Sequence, residues 1–327
     1  MSKLVTIFGG SGFLGKYIAR RMAQQGWRVR VATRHPNDSM FVRTYGVVGQ
    51  VEPVFCNIRD DASVRAVTHG ADAVVNCVGI LSEKGRNGFD SVQAEGAGRV
   101  ARIAAEQGVA QMVQISAIGA DTESDSDYAR TKALGEAAVL EHMPGAMILR
   151  PSILFGPEDE FFNRFANMTK LGPVLPMVGG NTKFQPVFVD DVAAAAEVYL
   201  LGKAQGGVYE LGGPEVRTFR ELMQEMLGVI QRRRGLINLP VWVANLMAFG
   251  LSAAQVVSLG LFHNDTLTQD QIVNLQKDNV VSGDAKGFDA LGIVPMTMEA
   301  VLPSYLWRFR PSGQYAAIKD SAKNLKI

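Results

Sequence analysis

The stretch Leu4–Met22, LVTIFGGSGFLGKYIARRM, decides the fold. Leu4–Phe8 is a short apolar run that reads as a buried strand. Helical spacing begins at Phe13 and runs to Gln25, and Gly26 stops it. Between them lie Gly9, Gly10, Ser11 and Gly12. A strand, a glycine loop and a helix N-terminus form a natural cradle for phosphates, because glycine lets the backbone approach and the first helical N–H groups are unpaired. Gly9, Gly12 and Gly15 fit GxxGxxG. Gly10, Gly12 and Gly15 fit GxGxxG, with Phe13 and Leu14 as the intervening pair. Gly10–Lys16 also fits GxxxxGK, the mononucleotide loop. That loop needs a Ser or Thr after the lysine to ligate magnesium, and here Tyr17 stands there. A phenol does not replace it. The loop therefore reads as a dinucleotide site, with Lys16 a solvated helix residue.

Outward from this stretch the pattern alternates. Strands are predicted at Arg28–Thr33, Val51–Cys56, Ala73–Cys77, Met112–Ser116 and Ala146–Leu149. Helices are predicted at Asp61–Val67, Phe89–Gln107 and Tyr128–His142. This order predicts an α/β fold with a doubly wound parallel sheet of the Rossmann type, whose ligands bind at the carboxyl ends of the strands. After Arg150 glycine and proline break the rhythm, and Val187–Leu201 reads as a strand running into a helix. Residues 1–150 are read as the nucleotide domain, with later segments interleaved. Residues 151–327 are read as a smaller C-terminal α/β lobe. Thr218–Glu221 is a capping box.

The strand ends select the nucleotide. NAD sites usually carry an acid after the second strand, for the ribose 2′-hydroxyl. This chain has Thr33-Arg34-His35, and a guanidinium suits a 2′-phosphate. NADPH is the expected cofactor. Asn57 and Ile58, after the third strand, are placed to meet the adenine. Cys77, Val78 and Gly79 follow the fourth.

The chain has 327 residues, 47% apolar and 20% charged, with a net charge of +1. The charges are interspersed, so nothing points to nucleic acid. Cys56 and Cys77 read as reduced core thiols, and the four histidines are too scattered for a metal site. The first strand follows Met1 at once, which leaves no room for a leader and points to a bacterial-type or mature intracellular chain. Leu239–His263 carries no charge and reads as a helix, or broken pair, buried in the lobe, against a partner or at a membrane surface. The tail 307–327 is basic and reads as a mobile terminus.

On these motifs the sequence resembles the extended and atypical short-chain dehydrogenase/reductase superfamily. The carriers are Gly9-x-x-Gly12-x-x-Gly15, Asn76-Cys77-Val78-Gly79, Ser116, Tyr128-x-x-x-Lys132, Arg150-Pro151 and Val189-Asp190-Asp191-Val192. ISAIGAD (115–121), LRPSILFGPEDEFFNRF (149–165) and LTQDQIVNLQKDNVV (267–281) are similar to one branch, the NADPH-binding accessory subunits of respiratory complex I, the NADH:ubiquinone oxidoreductase. The resemblance implies that Ser116, Tyr128, Lys132, Pro151, Ile153 and Leu154 lie along the cofactor. It implies a structural subunit on the peripheral arm, beside membrane-proximal subunits and the quinone entrance, with 239–263 touching lipid or protein. The location implied is the cytoplasmic face of a bacterial inner membrane, or the matrix side in a mitochondrion. In active members of the superfamily a Tyr moves the proton, a Lys four residues on lowers its pKa, and a Ser orients the substrate. Tyr128, Lys132 and Ser116 are the candidates. YxxxK occurs three times here, and only Tyr128/Lys132 follows the fifth strand. Extended enzymes tend to place the catalytic hydroxyl one or two residues later, at Ala117 or Ile118. Tyr128 and Lys132 are therefore read as cofactor-holding. The alternative is a free-standing NADP-dependent reductase or nucleotide-sugar epimerase.

Overall fold

A computed structural model of the chain describes residues 2–83, 85–246, 248 and 269–315. The chain forms two compact units. The first comprises Met1–Ser152, Val189–Gly212 and Val281–Val294, and the second Ile153–Phe188, Gly213–Val280 and Pro295–Ile327.

In the first unit the chain runs β1 (Leu4–Phe8), α1 (Phe13–Gln24), β2 (Arg28–Thr33), β3 (Val51–Phe55), α2 (Asp61–Thr68), β4 (Ala73–Asn76), α3 (Glu95–Glu106), β5 (Gln111–Ile115), α4 (Asp127–His142) and β6 (Met147–Pro151). A π-helical turn at Asp90–Ala94 leads into α3. After the excursion into the second unit, α6 (Val189–Leu200) and β11 (Gly207–Leu211) return. The seven strands form one sheet in the order β11-β6-β5-β4-β1-β2-β3, and every pairing is parallel. All five residues of β1 are buried. A strand buried on both faces needs helices on both sides, as parallel sheets require. One apolar cluster joins Phe8, Val74, Met112 and Ile148 of the strands to Val64, Val100, Ala104 and Val139 of α2, α3 and α4. Elsewhere α1 lies against α6, where Arg21 makes a two-pronged bond to Asp190 and a third bond to Glu197.

Arg150 fixes α4 over β6. Its guanidinium takes both oxygens of Glu136 and reaches Glu210 on β11. Glu210 in turn accepts from the backbone N–H and hydroxyl of Ser282. This network draws three stretches distant in sequence into the unit.

The second unit contains β7 (Leu154–Phe155), α5 (Phe162–Met168), β8 (Val174–Met177), β9 (Lys183–Phe184), β10 (Val187–Phe188), β12 (Arg217–Thr218), α7 (Phe219–Val229), β13 (Gly235–Asn238), α8 (Gln269–Asn274) and α9 (Met298–Leu306). Its strands pair two by two: β7 with β10, β8 with β13, β9 with β12. The core is aromatic and sulfur-rich, with Phe155, Phe162, Phe184, Phe219, Met223 and Met226 packed on Leu302 and Leu306. The capping box at the start of α7 is present. Asp159 is buried and accepts from the N–H groups of Gly156 and Asn163 and from the Tyr305 hydroxyl at 2.6 Å.

The head of the C-terminal tail differs from the mobile terminus expected. Trp307–Phe309 is a 3-10 turn with Phe309 buried. Arg308 donates to Pro157 O and Asn163 Oδ1, and Arg310 to Val229 O. These basic residues are spent on carbonyls, which composition does not reveal. Residues 316–327 lie outside the described residues, as does most of the apolar stretch 239–263. Among the described residues no helix is long and apolar enough to cross a membrane.

Candidate functional site

The carboxyl ends of β1, β2, β4 and β5 form a continuous line of site residues. Gly9 takes a left-handed φ of 71°, and a Cβ there would stand 3.3 Å from the backbone of Cys77 and Val78. The loop after β1 thus lies against the end of β4. Gly15 is tighter. Its Cβ would come 2.3 Å from Gly9 O and 2.7 Å from the Gly10 Cα, so α1 rests directly on the loop. Gly12 is the N-cap of α1; it offers no side-chain cap, and no acid sits in the first turn. The first N–H groups of a helix have no partner within it. An uncapped, acid-free end of a helix of 12 residues behind a glycine loop is what a pyrophosphate fits.

Ser11 Oγ lies 3.3 Å from Thr33 Oγ1, which also accepts from the N–H of His35 and the hydroxyl of Ser39. The loop and the end of β2 are thereby joined. Arg34, the next residue, is exposed and makes no ion pair among the described residues. Phe13 meets Tyr17 edge-on at 6.1 Å, and Lys16 Nζ lies over both rings. Tyr17 is buried. That geometry leaves the magnesium position of a mononucleotide loop without an oxygen ligand. Leu14 is buried in the core behind the loop.

On the other side of β4, Lys132 is buried on α4, and its Nζ donates to Ile115 O at 3.2 Å, beside Ser116. A Cβ on Gly79 would stand 3.2 Å from the same Nζ. Burial lowers the Lys132 pKa from 10.5 to about 8, with smaller opposing pulls from Cys77 and Glu136. The Tyr128 ring centroid lies 5.8 Å from Nζ, and Phe89 packs edge-on against that ring. Ser126 caps α4 through the N–H of Ala129 and so fixes where Tyr128 begins its turn. The Ser116 hydroxyl is buried and has no partner among the described residues. Buried hydroxyls are rarely left so, and one at the end of a central strand is a ready acceptor or donor for a bound group.

Two residues in this region, Gln114 and Gln93, are not singled out by motif. Asn76 donates to the Gln114 amide oxygen at 2.9 Å and accepts from the N–H of Val78. Gln114 then donates to Ile115 O, the carbonyl that also holds Lys132. A buried glutamine in the run QMVQI is the sequence signal that could have flagged it. Gln93, in the π-helical turn, donates to Ile80 O, and its own amide oxygen has no partner among the described residues.

Other predicted site residues stand apart from this line. The Asn57 oxygen accepts from the N–H of Arg59, and Ile58 is core, against Gly96. Pro151 is buried at the end of β6, where its carbonyl accepts from Ile118. Ile153 and Leu154 belong to the second unit, with Leu154 paired to Val187.

The ammonium buried at Lys132 has a measurable consequence. Its folded pKa lies below its unfolded value, so below about pH 8 the native state bears the cost of burying a charge. Between about pH 8 and 10.5 the unfolded chain binds the extra proton, and unfolding free energy from this group rises with pH. In urea titrations of the nucleotide-free protein, Lys132→Met is expected to lose that rise. An identical pH slope in the variant would show that Lys132 is not buried as an ammonium.

These features define a nicotinamide-dinucleotide fold. The family model for the NAD dependent epimerase/dehydratase family matches residues 5–212. NADH dehydrogenase [ubiquinone] 1 alpha subcomplex subunit 9, mitochondrial, of Arabidopsis thaliana is 35% identical over 326 residues, covering 95% of this chain and 79% of its own length. The ceramide reductase of Caulobacter vibrioides is 31% identical over 241 residues, covering 72% and 74%. A crystal structure of an NADPH-dependent quinone oxidoreductase of Escherichia coli, 20% identical, superposes with a TM-score of 0.69 over 92% of this chain and 98% of that one, and shows the fold. The chain belongs to the NAD dependent epimerase/dehydratase family, in the branch that contains the alpha subcomplex subunit 9 proteins.

Proposed function

We propose that this chain is an accessory subunit of respiratory complex I that holds NADPH without turning it over. The observation that carries the reading is the near full-length match to the Arabidopsis subunit. The loop from Gly9 to Gly15 would hold the pyrophosphate, with Ser11 and Thr33 near the adenosine ribose. Arg34 would grip the 2′-phosphate, and the open edge of Asn57 would face the adenine. Cys77, Val78 and Gly79 would flank the nicotinamide side, where Lys132 and Tyr128 meet the ribose hydroxyls. Pro151 would complete the wall. A bound NADPH supplies a hydride donor. Proton delivery would fall to Tyr128, and Ser116 would have to share the substrate oxygen with it. Ala117 and Ile118 stand where extended enzymes place that hydroxyl, so the substrate half lacks its usual partner. A ligand that binds only the folded state stabilises it, by about 2.7 kcal/mol at a hundredfold excess over Kd. That is the role proposed here: a structural nucleotide in a peripheral-arm subunit near the membrane and the quinone site. The location is the face of the membrane that carries the arm, cytoplasmic in a bacterium and matrix in a mitochondrion.

A second reading, an NADP-dependent reductase, is favoured by the Tyr128–Lys132 pair and by the likeness to the Caulobacter ceramide reductase. Tyr128→Phe separates the two. As a subunit, the variant is expected to assemble and to leave NADH:ubiquinone turnover within twofold of wild type. Loss of a carbonyl reduction that the isolated wild-type chain performs would instead establish the enzyme.

A further inference from the structure

Four arginines of the second unit, Arg220, Arg232, Arg233 and Arg234, line one open groove of about 370 Å3, floored by Leu227 and Leu236. Arg220 projects from the first turn of α7, and the other three are consecutive in the turn between α7 and β13. That turn is set by Gln231 at φ 53°, the only non-glycine residue with a left-handed backbone among the described residues. This is the left-handed cap that closes α7: the N–H of Gln231 donates to Gly228 O and that of Arg232 to Leu227 O, both at 3.1 Å. Two of the arginines are pre-set. Arg232 Nε donates to Phe309 O at 2.8 Å, and Arg234 Nε to Thr169 O at 2.9 Å. Nearby acids are used elsewhere: Glu221 closes the capping box, and Glu215 pairs with Arg217. None of the four arginines forms an ion pair among the described residues. Like charges crowded into one groove repel unless an anion joins them, and guanidinium forks fit phosphate oxygens.

The flanks of the groove indicate the source of the phosphate. Leu171 is 88% exposed, two residues beyond the Thr169 carbonyl that holds Arg234. Trp242 and Leu246, four apart on the helical turn 241–246 that follows β13, are 70% and 65% exposed. A free anion has no use for exposed apolar side chains. A bilayer surface takes both, arginine at the headgroup and Trp, Leu or Ile at the acyl boundary. We propose that this groove binds the phosphate of an anionic phospholipid, with Leu171, Trp242 and Leu246 entering the bilayer surface beside it. The choice of lipid over free phosphate rests on the membrane-proximal placement proposed above.

The test is flotation of the full chain with vesicles of phosphatidylcholine alone, or mixed in equal parts with phosphatidylglycerol. Binding is expected only to the mixed vesicles, and it weakens as salt is added. The double variant Arg220→Gln/Arg233→Gln spares the two anchored arginines. It is expected to bind about tenfold more weakly or worse, at about fivefold per arginine, with an unchanged thermal midpoint. Equal binding by the double variant, no binding by the wild type, or displacement by inorganic phosphate at concentrations that leave bulk screening unchanged would overturn the proposal. The last would mark a free-phosphate site, and the first would show that the vesicles are held without the arginines. A chain that co-isolates with complex I yet ignores the vesicles refutes the lipid site alone. A chain that binds the mixed vesicles through its arginines but is found outside any complex refutes the subunit reading alone.

Discussion

Gly15→Ala is expected to empty the nucleotide site. A methyl group there stands 2.3 Å from Gly9 O and 2.7 Å from the Gly10 Cα, both backbone atoms that no rotamer change can clear. Either α1 retreats or the loop does, and the loop is the proposed phosphate cradle. Overpacking of this kind costs about 1–3 kcal/mol of stability. The larger effect falls on the ligand, because a cradle displaced by a few tenths of an ångström no longer presents its N–H groups together. We expect nucleotide retention to fall by about two orders of magnitude, a difference of about 2.7 kcal/mol. Fluorescence of reduced nicotinamide released on denaturation measures it. Gly12→Ala, whose Cβ would meet only Gly9 O at 3.2 Å, is expected to be milder. Equal retention in Gly15→Ala and wild type would mean that the loop holds no pyrophosphate.

Arg34→Asp should exchange one nucleotide for the other. The guanidinium is exposed at the end of β2, next to the Thr33–Ser11 contact that ties this end to the glycine loop. Hydrogen bonds to a charged group contribute about 1.5–3 kcal/mol, and the new carboxylate would repel the 2′-phosphate. NADPH affinity is expected to drop about a hundredfold, while an acid at this position suits the ribose 2′-hydroxyl of NADH. Isothermal titration with both nucleotides on the emptied protein reads the exchange. Unchanged preference would remove Arg34 from the site and with it the choice of NADPH.

The legibility of the sequence varied with the range of the signal. The strand Leu4–Phe8 and the strand Arg28–Thr33 fall where periodicity puts them, and α1 ends one residue short of its predicted bound. In those segments burial, glycine spacing and helix stop act within a few residues. The second unit was harder to read. β7, β9, β10 and β12 are two residues each, too short for any alternation to register. The seventh strand of the sheet, β11, follows a long detour, and its place beside β6 is fixed by pairing such as Tyr209 with Leu149. The same limit applies to the site. Gly9, Ser11 and Gly15 could be named from one motif. That the end of β4 abuts Gly9, or that Gln114 helps hold the carbonyl under Lys132, depends on strand neighbours 38 and more residues apart. The four-arginine groove was invisible for a similar reason. Arg220 is distant in sequence from Arg232–Arg234 and comes beside them only through the fold of α7.

Cofactor-holding and catalysis use the same Tyr–Lys pair, so geometry at Tyr128 separates them less sharply than the company the chain keeps. The most direct measurement is isolation of the tagged chain from native membranes in mild detergent, with mass spectrometry of the partners and of the nucleotide. The expected result is comigration with a complex that oxidises NADH and reduces quinone, each copy of the chain retaining NADPH that stays reduced through turnover. A chain recovered free of that complex, exchanging its nucleotide and consuming NADPH with a carbonyl substrate, would contradict the assignment.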